Sequence, residues 1–263
     1  GLPGVHISED YGGQGFGFVE LGIVMEEMGR ALLCAPYFSS SVLAASAISN
    51  TGTHGQKLSL LPDLCAGRRL ASLAYVEPDG DWSPTAIKTS AVASAGGFKL
   101  TGNKSFVVDG MSAEQLVVAA RTPGTTGSEG LALYLVDTSS SEVTRNALTV
   151  IDPTRKLASV EFTGASAERL GESGDDAQAI ALTLRQACVA LAAESAGGAQ
   201  AMLDSAVAYT LTRVQFGRLI GSFQAIKHQC ADLLLDVELA KSGAYYAAGA
   251  ATEHSTDFGS AAS

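Results

Sequence analysis

The stretch RVQFGRLIGSFQ, residues 213–224, separates two long Ala-rich segments of helical pattern. Arg213 can hold a phosphate through two parallel hydrogen bonds, Phe216 can cover a flat ring, and Gly217 lets a ligand approach the backbone. Taken singly, such residues are also typical of a helix-terminal cation, a core aromatic residue and a turn. Together at this spacing, they predict a corner that holds a large planar, phosphorylated cofactor.

The composition sets limits on the class of protein. The chain has 263 residues, 46% of them hydrophobic, which is enough for one large or two smaller domains. A formal charge of −10 argues against general binding to nucleic acids or anionic membranes, so an anionic ligand needs local cations such as Arg213 and Arg218. No run of 18 apolar residues predicts a membrane span. The chain starts at Gly1 without methionine, which suggests a fragment of a longer protein.

The cysteines and histidines show no metal or redox spacing. Cys34, Cys65, Cys188 and Cys230 lie far apart, and we expect at least three of them to be reduced core residues of a cytosolic protein. The four histidines are equally scattered, so no metal site is predicted.

Residues 1–68 have a mainly helical pattern. A stripe at helical spacing contains Leu21, Val24, Met25 and Met28. A second helix is predicted at about residues 41–50, with Ser39–Ser41 as candidate caps, and a third short helix leads to Gly67.

From about residue 70 to residue 170 the apolar period changes to two, which predicts a compact, mainly antiparallel β domain. The predicted strands are Leu73–Val76, Phe98–Leu100, Phe106–Val108, Leu116–Ala120, Leu131–Val136, Leu148–Ile151 and Val160–Phe162. The stretch Gly97–Ser105 is one insertion away from a phosphate-binding loop, but strand-type residues flank it on both sides. We therefore interpret it as a hairpin turn.

Two long helices are predicted at roughly residues 176–212 and 222–252. Both exceed the usual length of a globular helix. Their small-residue faces are typical of a bundle that also packs against a partner chain.

The quoted stretch resembles the flavin-binding signature of the acyl-CoA dehydrogenases. The matching pattern is Arg213-x-x-Phe216-Gly217-x-x-Ile220-x-x-Phe223-Gln224. Weaker similarities to the same family occur at Tyr11-Gly12-Gly13, Glu77-Pro78 and Gly102-x-Lys104-Ser105.

The resemblance implies an α+β multidomain fold. Its parts are an incomplete helical N-terminal domain (1–68), an antiparallel β-barrel middle domain (69–172) and an incomplete C-terminal four-helix bundle (173–263). It also implies FAD as the cofactor. The residues implied to flank the flavin ring are Tyr75, Val76, Glu77, Pro78, Phe106, Val107 and Val108. The residues implied to bind the neighbouring subunit's FAD are Arg213, Phe216, Phe223 and Gln224. Trp82 and Arg185 are implied substrate contacts.

Several positions depart from the family pattern. Val76 and Val108 lack hydroxyl groups that family members usually offer the flavin, Phe106 replaces a tryptophan, and Trp82 replaces a small serine. No catalytic carboxylate is assigned, since one family position for it corresponds to Ala187 and others lie beyond residue 263. Cys188, paired with Arg185 at the implied CoA contact, also departs from the pattern.

These features predict FAD-dependent α,β-dehydrogenation of an acyl-CoA to the trans-2-enoyl-CoA, with electrons passed to an electron-transfer flavoprotein. Two alternatives stay open: a non-catalytic companion subunit that supplies half of a FAD site, and a flavin-dependent monooxygenase of the same fold. We expect a cytoplasmic homo-oligomer, or a heteromer with a homologous subunit.

Overall fold

The computed structural model describes residues 1–172, 176–253 and 258–262. The α-helices are α1 (Phe18–Arg30), α2 (Ala45–Thr51), α3 (His54–Cys65), α4 (Ala177–Thr210), α5 (Gln224–Thr252) and α6 (Phe258–Ala261). The strands are β1 (Ala71–Ala74), β2 (Ser90–Ser94), β3 (Gly97–Val108), β4 (Gln115–Arg121), β5 (Leu131–Asp137), β6 (Val143–Ala147), β7 (Leu157–Arg169), β8 (Val214–Gln215) and β9 (Arg218–Leu219). The two long predicted helices agree with α4 and α5 to within two residues at each end.

The chain forms two compact units. One contains Gly1–Gly15 and Cys34–Ala187, and the other contains Phe16–Leu33 and Cys188–Ser263. The three domains implied by the family resemblance remain a prediction.

The second unit depends on glycines where α1 meets α4. A Cβ atom added to Gly29 would lie 1.9 Å from the carbonyl oxygen of Glu194, and one added to Gly197 would lie 1.9 Å from that of Glu26. The two backbones can approach this closely only because neither position has a side chain. On the predicted stripe of α1, Leu21 and Met25 are fully buried.

The serines expected to cap the second helix lie inside a helical turn instead. Residues Phe38–Ala44 form a buried π-helical turn that continues directly into α2, so no helix begins at Ser39–Ser41. Their hydroxyl groups serve other segments: Ser39 Oγ donates to Asp109 Oδ2 at 2.7 Å, and Ser40 Oγ accepts from the N–H of Ala71 at 3.3 Å. The cap prediction is wrong because the helical backbone already begins at Phe38. The hydrogen-bond partners Asp109 and Ala71 are distant in sequence, so no local pattern reveals them.

A seven-stranded sheet lies in the first unit. Its strand order is β1-β4-β2-β3-β7-β5, with β6 beside β7 and an additional pairing of β4 with β5. Of its seven described pairings, five are antiparallel, whereas β4 pairs in parallel with both β1 and β2. The buried core contains Leu100, Leu116, Tyr134 and Phe162. The sheet is therefore mixed, although mainly antiparallel as predicted.

Some strand predictions are wrong. The runs Phe98–Leu100 and Phe106–Val108 belong to the single strand β3, so Gly97–Ser105 is not a hairpin turn. The turn lies just before it, between β2 and β3. Leu148–Ile151 is not a strand, and Ile151 is fully exposed. β2 and β6 were not predicted because they contain few large apolar residues. They form strands by pairing with the longer strands β3 and β7.

The exposure of the cysteines and the hydropathy of α4 differ from what the composition predicts. Of the four cysteines, only Cys65 is buried, whereas Cys34 and Cys188 are exposed and Cys230 is half-buried, so the expected core placement is wrong. An 18-residue window of α4 reaches the mean hydropathy of 1.2 that suits a membrane span, with 44% of it buried. One such helix is also typical of a packed core.

Candidate cofactor site

The corner between α4 and α5 is a tight hairpin. β8 and β9 pair antiparallel, with Gln215 opposite Arg218. The two residues between them have positive φ, 51° at Phe216 and 77° at Gly217, as a two-residue turn of the mirror-image type requires. Glycine adopts this conformation readily, whereas phenylalanine does so at a cost. The hairpin therefore holds an aromatic ring at its tip against a local preference.

The side chains of this corner form an exposed aromatic and cationic surface. Phe216 is 93% exposed, and its ring lies edge-on to Phe223 with centroids 6.1 Å apart. The guanidinium of Arg218 lies 4.0 Å from the centroid of Phe223. Arg213 and Gln224 are exposed. This set fits a planar group that carries phosphates, because it offers ring faces, cations and an amide without burying them against the rest of the second unit.

A second group of predicted site residues lies in the first unit, after β1. Tyr75, Val76 and Glu77 are buried, whereas Pro78 is exposed. Trp82 is 62% exposed, and its carbonyl oxygen accepts a 3.0 Å hydrogen bond from the hydroxyl of Tyr75.

Glu77 and Lys104 form a buried ion pair beneath this loop. The side chain of Lys104 is fully buried, and its Nζ donates to Glu77 Oε1 at 3.1 Å and to the carbonyl oxygen of Tyr75 at 2.8 Å. Glu77 Oε1 also accepts from the N–H of Lys88 at 2.9 Å and from the N–H and Oγ1 of Thr89 at 2.8 Å each. One carboxylate oxygen therefore joins three segments of the chain.

Both groups of this pair stay ionised at neutral pH. Burial lowers the pKa of Lys104 to about 8, and the attraction of Glu77 opposes that effect. Burial would raise the pKa of Glu77, but Lys104 and the donors of Thr89 and Lys88 outweigh it and hold the pKa below its usual value. A pKa of about 8 leaves Lys104 mostly protonated at pH 7.

The third predicted segment follows Lys104 on β3. The pairing of β3 with β7 shifts register between Lys104 and Val107, and Phe106 has a φ of 57°. As a result, Phe106 is 48% exposed while Val107 is buried. The N–H of Ser105 donates to the carbonyl oxygen of Val76 at 2.9 Å. The structure thus brings the segments around residues 75–77 and 104–108 together, as two of the predicted site regions require.

The implied substrate contacts lie on separate elements of the chain. Arg185 and Cys188 are exposed on α4, and Ala187 between them is buried. Trp82 lies on the loop after β1.

The sequence and the fold are similar to those of known proteins. Residues 1–68 match the family model of the acyl-CoA dehydrogenase N-terminal domain, and residues 177–263 match that of the acyl-CoA dehydrogenase C-terminal domain. A probable acyl-CoA dehydrogenase, fadE25 of Mycobacterium bovis, is 31% identical over 98% of this chain and 68% of its own length.

The chain belongs to the acyl-CoA dehydrogenase family.

Other relatives fit this placement. The mitochondrial isovaleryl-CoA dehydrogenase of Solanum tuberosum is 30% identical over 93% of this chain, which spans 61% of that enzyme's length. Butyryl-CoA dehydrogenase from Megasphaera elsdenii superposes with a TM-score of 0.93 at 27% identity, covering all of this chain and 71% of that one. The ChsE4-ChsE5 complex from Mycobacterium tuberculosis gives a TM-score of 0.83 at 27% identity, with 95% and 66% coverage. This acyl-CoA dehydrogenase fold, mixed α and β, implies a flavin cofactor.

Sequence reasoning missed two polar residues of this family member. Lys104 lies within one of the motifs that resemble the family, but neither Lys104 nor Thr89 is among the predicted site residues. The signal was present for Lys104, because a lysine on a strand otherwise rich in apolar residues needs a buried partner. No local signal points from Thr89 to Glu77, twelve residues away.

Proposed function

We propose that this chain supplies the flavin-binding part of an FAD-dependent acyl-CoA dehydrogenase, which oxidises an acyl-CoA thioester to the trans-2-enoyl-CoA. The observation that carries the proposal is the exposed surface of Arg213, Phe216, Arg218 and Phe223. An acidic chain has few reasons to present two arginines beside two exposed or half-exposed rings, except to bind a planar anion.

The finer architecture is part of the proposal. The strand pairings run from β4 through β2, β3, β7 and β5 and return to β4, which supports a β-barrel in the middle domain. The two long helices α4 and α5, which lie mainly in one unit, support a helical bundle in the C-terminal domain. The domain bounds proposed are 1–68, 69–172 and 173–263.

The chain's own residues would position the cofactor. Arg213 would pair with the phosphate oxygens of the neighbouring subunit's FAD, and Phe216, Phe223 and Gln224 would surround that same cofactor. The residues implied to flank its ring are Tyr75, Val76, Glu77, Pro78, Phe106, Val107 and Val108. A bound flavin supplies the two-electron acceptor of the reaction.

Several partners and the compartment also belong to the proposal. The substrate contacts proposed are Trp82 and Arg185, with no catalytic base assigned. We propose an electron-transfer flavoprotein as the electron acceptor, assembly as a homo-oligomer or heteromer, and a cytoplasmic location.

A second candidate function is a companion subunit that completes a partner's FAD site without catalysing the reaction. Val76, Trp82, Val108 and Ala187 favour it, since they replace residues that family members have at the cofactor (Val76, Val108), near the acyl path (Trp82) or at the base (Ala187). The similarity to a protein solved as the ChsE4-ChsE5 complex adds support.

Purification of the full-length protein tests these proposals. A protein that purifies yellow with stoichiometric FAD, and whose flavin is bleached anaerobically by acyl-CoA, supports the dehydrogenase. A protein that is colourless alone, but yellow when co-purified with a co-encoded homologue, supports the companion subunit. Absence of bound flavin in both preparations would overturn both functions.

A further inference from the structure

The Lys104–Glu77 pair ties two segments of backbone together at consecutive residues. Lys104 Nζ donates to the carbonyl oxygen of Tyr75 at 2.8 Å, and the N–H of Ser105 donates to that of Val76 at 2.9 Å. Two successive carbonyls of one segment therefore meet two successive residues of β3. The register shift of β3 and the positive φ of Phe106 follow immediately.

Close packing alone does not explain why the two segments are linked by the charged side chains of Lys104 and Glu77. A buried ion pair contributes little net stability compared with apolar residues of similar volume, whereas removal of one partner leaves an uncompensated charge. A buried ammonium does offer something an apolar residue cannot: donors aimed at a particular carbonyl and a particular carboxylate. The pair is thus better suited to specify one backbone arrangement than to increase stability.

We propose that Lys104 is a positioning residue for the flavin. Its ammonium, balanced by Glu77, holds the carbonyl of Tyr75 and thereby sets the backbone of residues 75–77 against the bulge at Phe106. The inference rests on the proposed function, which assigns these two segments to the flavin ring. It goes beyond that function because it assigns the alignment of the cofactor to a side chain that is fully buried.

The test compares three variants in the form of the full-length protein that binds FAD, alone or with its partner subunit. These are Lys104→Met, Lys104→Met combined with Glu77→Gln, and the control Lys99→Met. Lys99 lies on the same strand and donates to Ser166 at the surface, at 2.8 Å. For each protein, the Kd for FAD, the shape of the visible flavin absorption band and the thermal midpoint are measured.

We expect Lys104→Met to lose stability and to bind FAD about tenfold more weakly, with a flavin band closer to that of free FAD. The double variant should recover stability, because no buried charge is left unpaired, but it should not recover FAD affinity, since Tyr75 still lacks its donor. Lys99→Met should match the wild type in all three measurements.

Recovery of FAD affinity together with stability in the double variant would overturn the inference, because affinity would then merely follow folding. Wild-type affinity and spectrum in either Lys104 variant would overturn it as well. If Lys104→Met does not fold, the double variant decides between these outcomes by comparison with Glu77→Gln alone, which changes the same proposed flavin contact but keeps the donor to Tyr75. A wild-type protein that binds no FAD in any preparation would overturn the proposed function, and this inference with it.

Discussion

At the scale of single residues, Arg121 shows how one buried cation organises loops. The residue is 7% exposed, and its guanidinium donates only to backbone carbonyls in the described contacts. The four acceptors are the carbonyl oxygens of Ile87 at 3.0 Å, Glu129 at 2.7 Å, and Pro84 and Gly127 at 2.6 Å each. Nothing in the local sequence indicates this role, because arginine at the end of a strand is usually exposed.

Arg121→Met should destabilise the first unit by about 3 kcal/mol or more, because one buried and three part-buried hydrogen bonds to a charged donor are lost at once. Urea unfolding followed by the fluorescence of Trp82, the single tryptophan, measures this. Arg68→Met is the control, since Arg68 pairs with Asp63 at the surface and should change stability by less than about 1 kcal/mol. Equal midpoints for both variants would contradict the role of Arg121.

At the scale of structural elements, the β8–β9 hairpin places a strained backbone and an exposed aromatic side chain at the same residue. Phe216 has a φ of 51° and is 93% exposed, so it neither suits its backbone nor contributes to a core. Backbone strain of this kind tends to be retained at binding sites. A substitution that relieves this strain should therefore raise the stability of the unit and weaken cofactor binding.

Phe216→Asn should raise the stability of the unit by up to about 1 kcal/mol, because asparagine tolerates the left-handed region. The same change should weaken FAD binding, since it removes the exposed ring. Gly217→Ala provides the contrast: its φ of 77° strains any Cβ, although open space surrounds it, and stability should fall. Calorimetry and FAD titration measure both effects; a lower midpoint for Phe216→Asn would show that the turn is unstrained.

The close approach of α1 and α4 depends on the absence of a side chain at Gly197. Gly197→Ala places a methyl group against the carbonyl of Glu26 and should cost about 1–3 kcal/mol or more in the free energy of unfolding. Gly249→Ala on α5 meets nothing within 4 Å, and it should gain up to about 1 kcal/mol through helix propensity. Thermal unfolding of both variants decides; a Gly197→Ala protein as stable as wild type would show that the helices can separate at no cost.

At the scale of the whole molecule, stability should depend on acid through His6. Burial lowers the pKa of His6 to about 4, and its Nε2 lies 3.2 Å from Ser46 Oγ. Between pH 6.5 and 4 the unfolded chain takes up a proton that the folded chain does not. Stability from this group is therefore complete above pH 6.5 and is lost as the pH falls towards 4.

His6→Gln should flatten this dependence. In the wild type, the free energy of unfolding should fall by up to about 1.4 kcal/mol per pH unit across that window because of His6. Unfolding curves at a series of pH values measure the slope, with His228→Gln as the control because His228 is exposed. An unchanged slope in His6→Gln would assign the acid sensitivity to other groups.

Much of the fold followed from local sequence. Helices α4 and α5 were predictable because long Ala-rich stretches favour helix without outside help. β4 and β5 were predictable because their apolar, β-branched residues suit a buried strand. β2 and β6 were not, since Ser90–Ser94 and Val143–Ala147 become strands mainly by pairing with β3 and β7. The serines of the π-helical turn were misassigned for a similar reason.

The sequence by itself determined the corner at residues 213–224, because a cation, two rings and a glycine lie within twelve positions and a tight hairpin is a local structure. Only the tertiary structure decided the surroundings of Glu77, Lys104 and Arg121. Their charged groups are buried and form hydrogen bonds with partners that lie 6 to 37 residues away in the sequence. Burial and hydrogen bonding at such distances depend on how strands are paired, which no local pattern specifies.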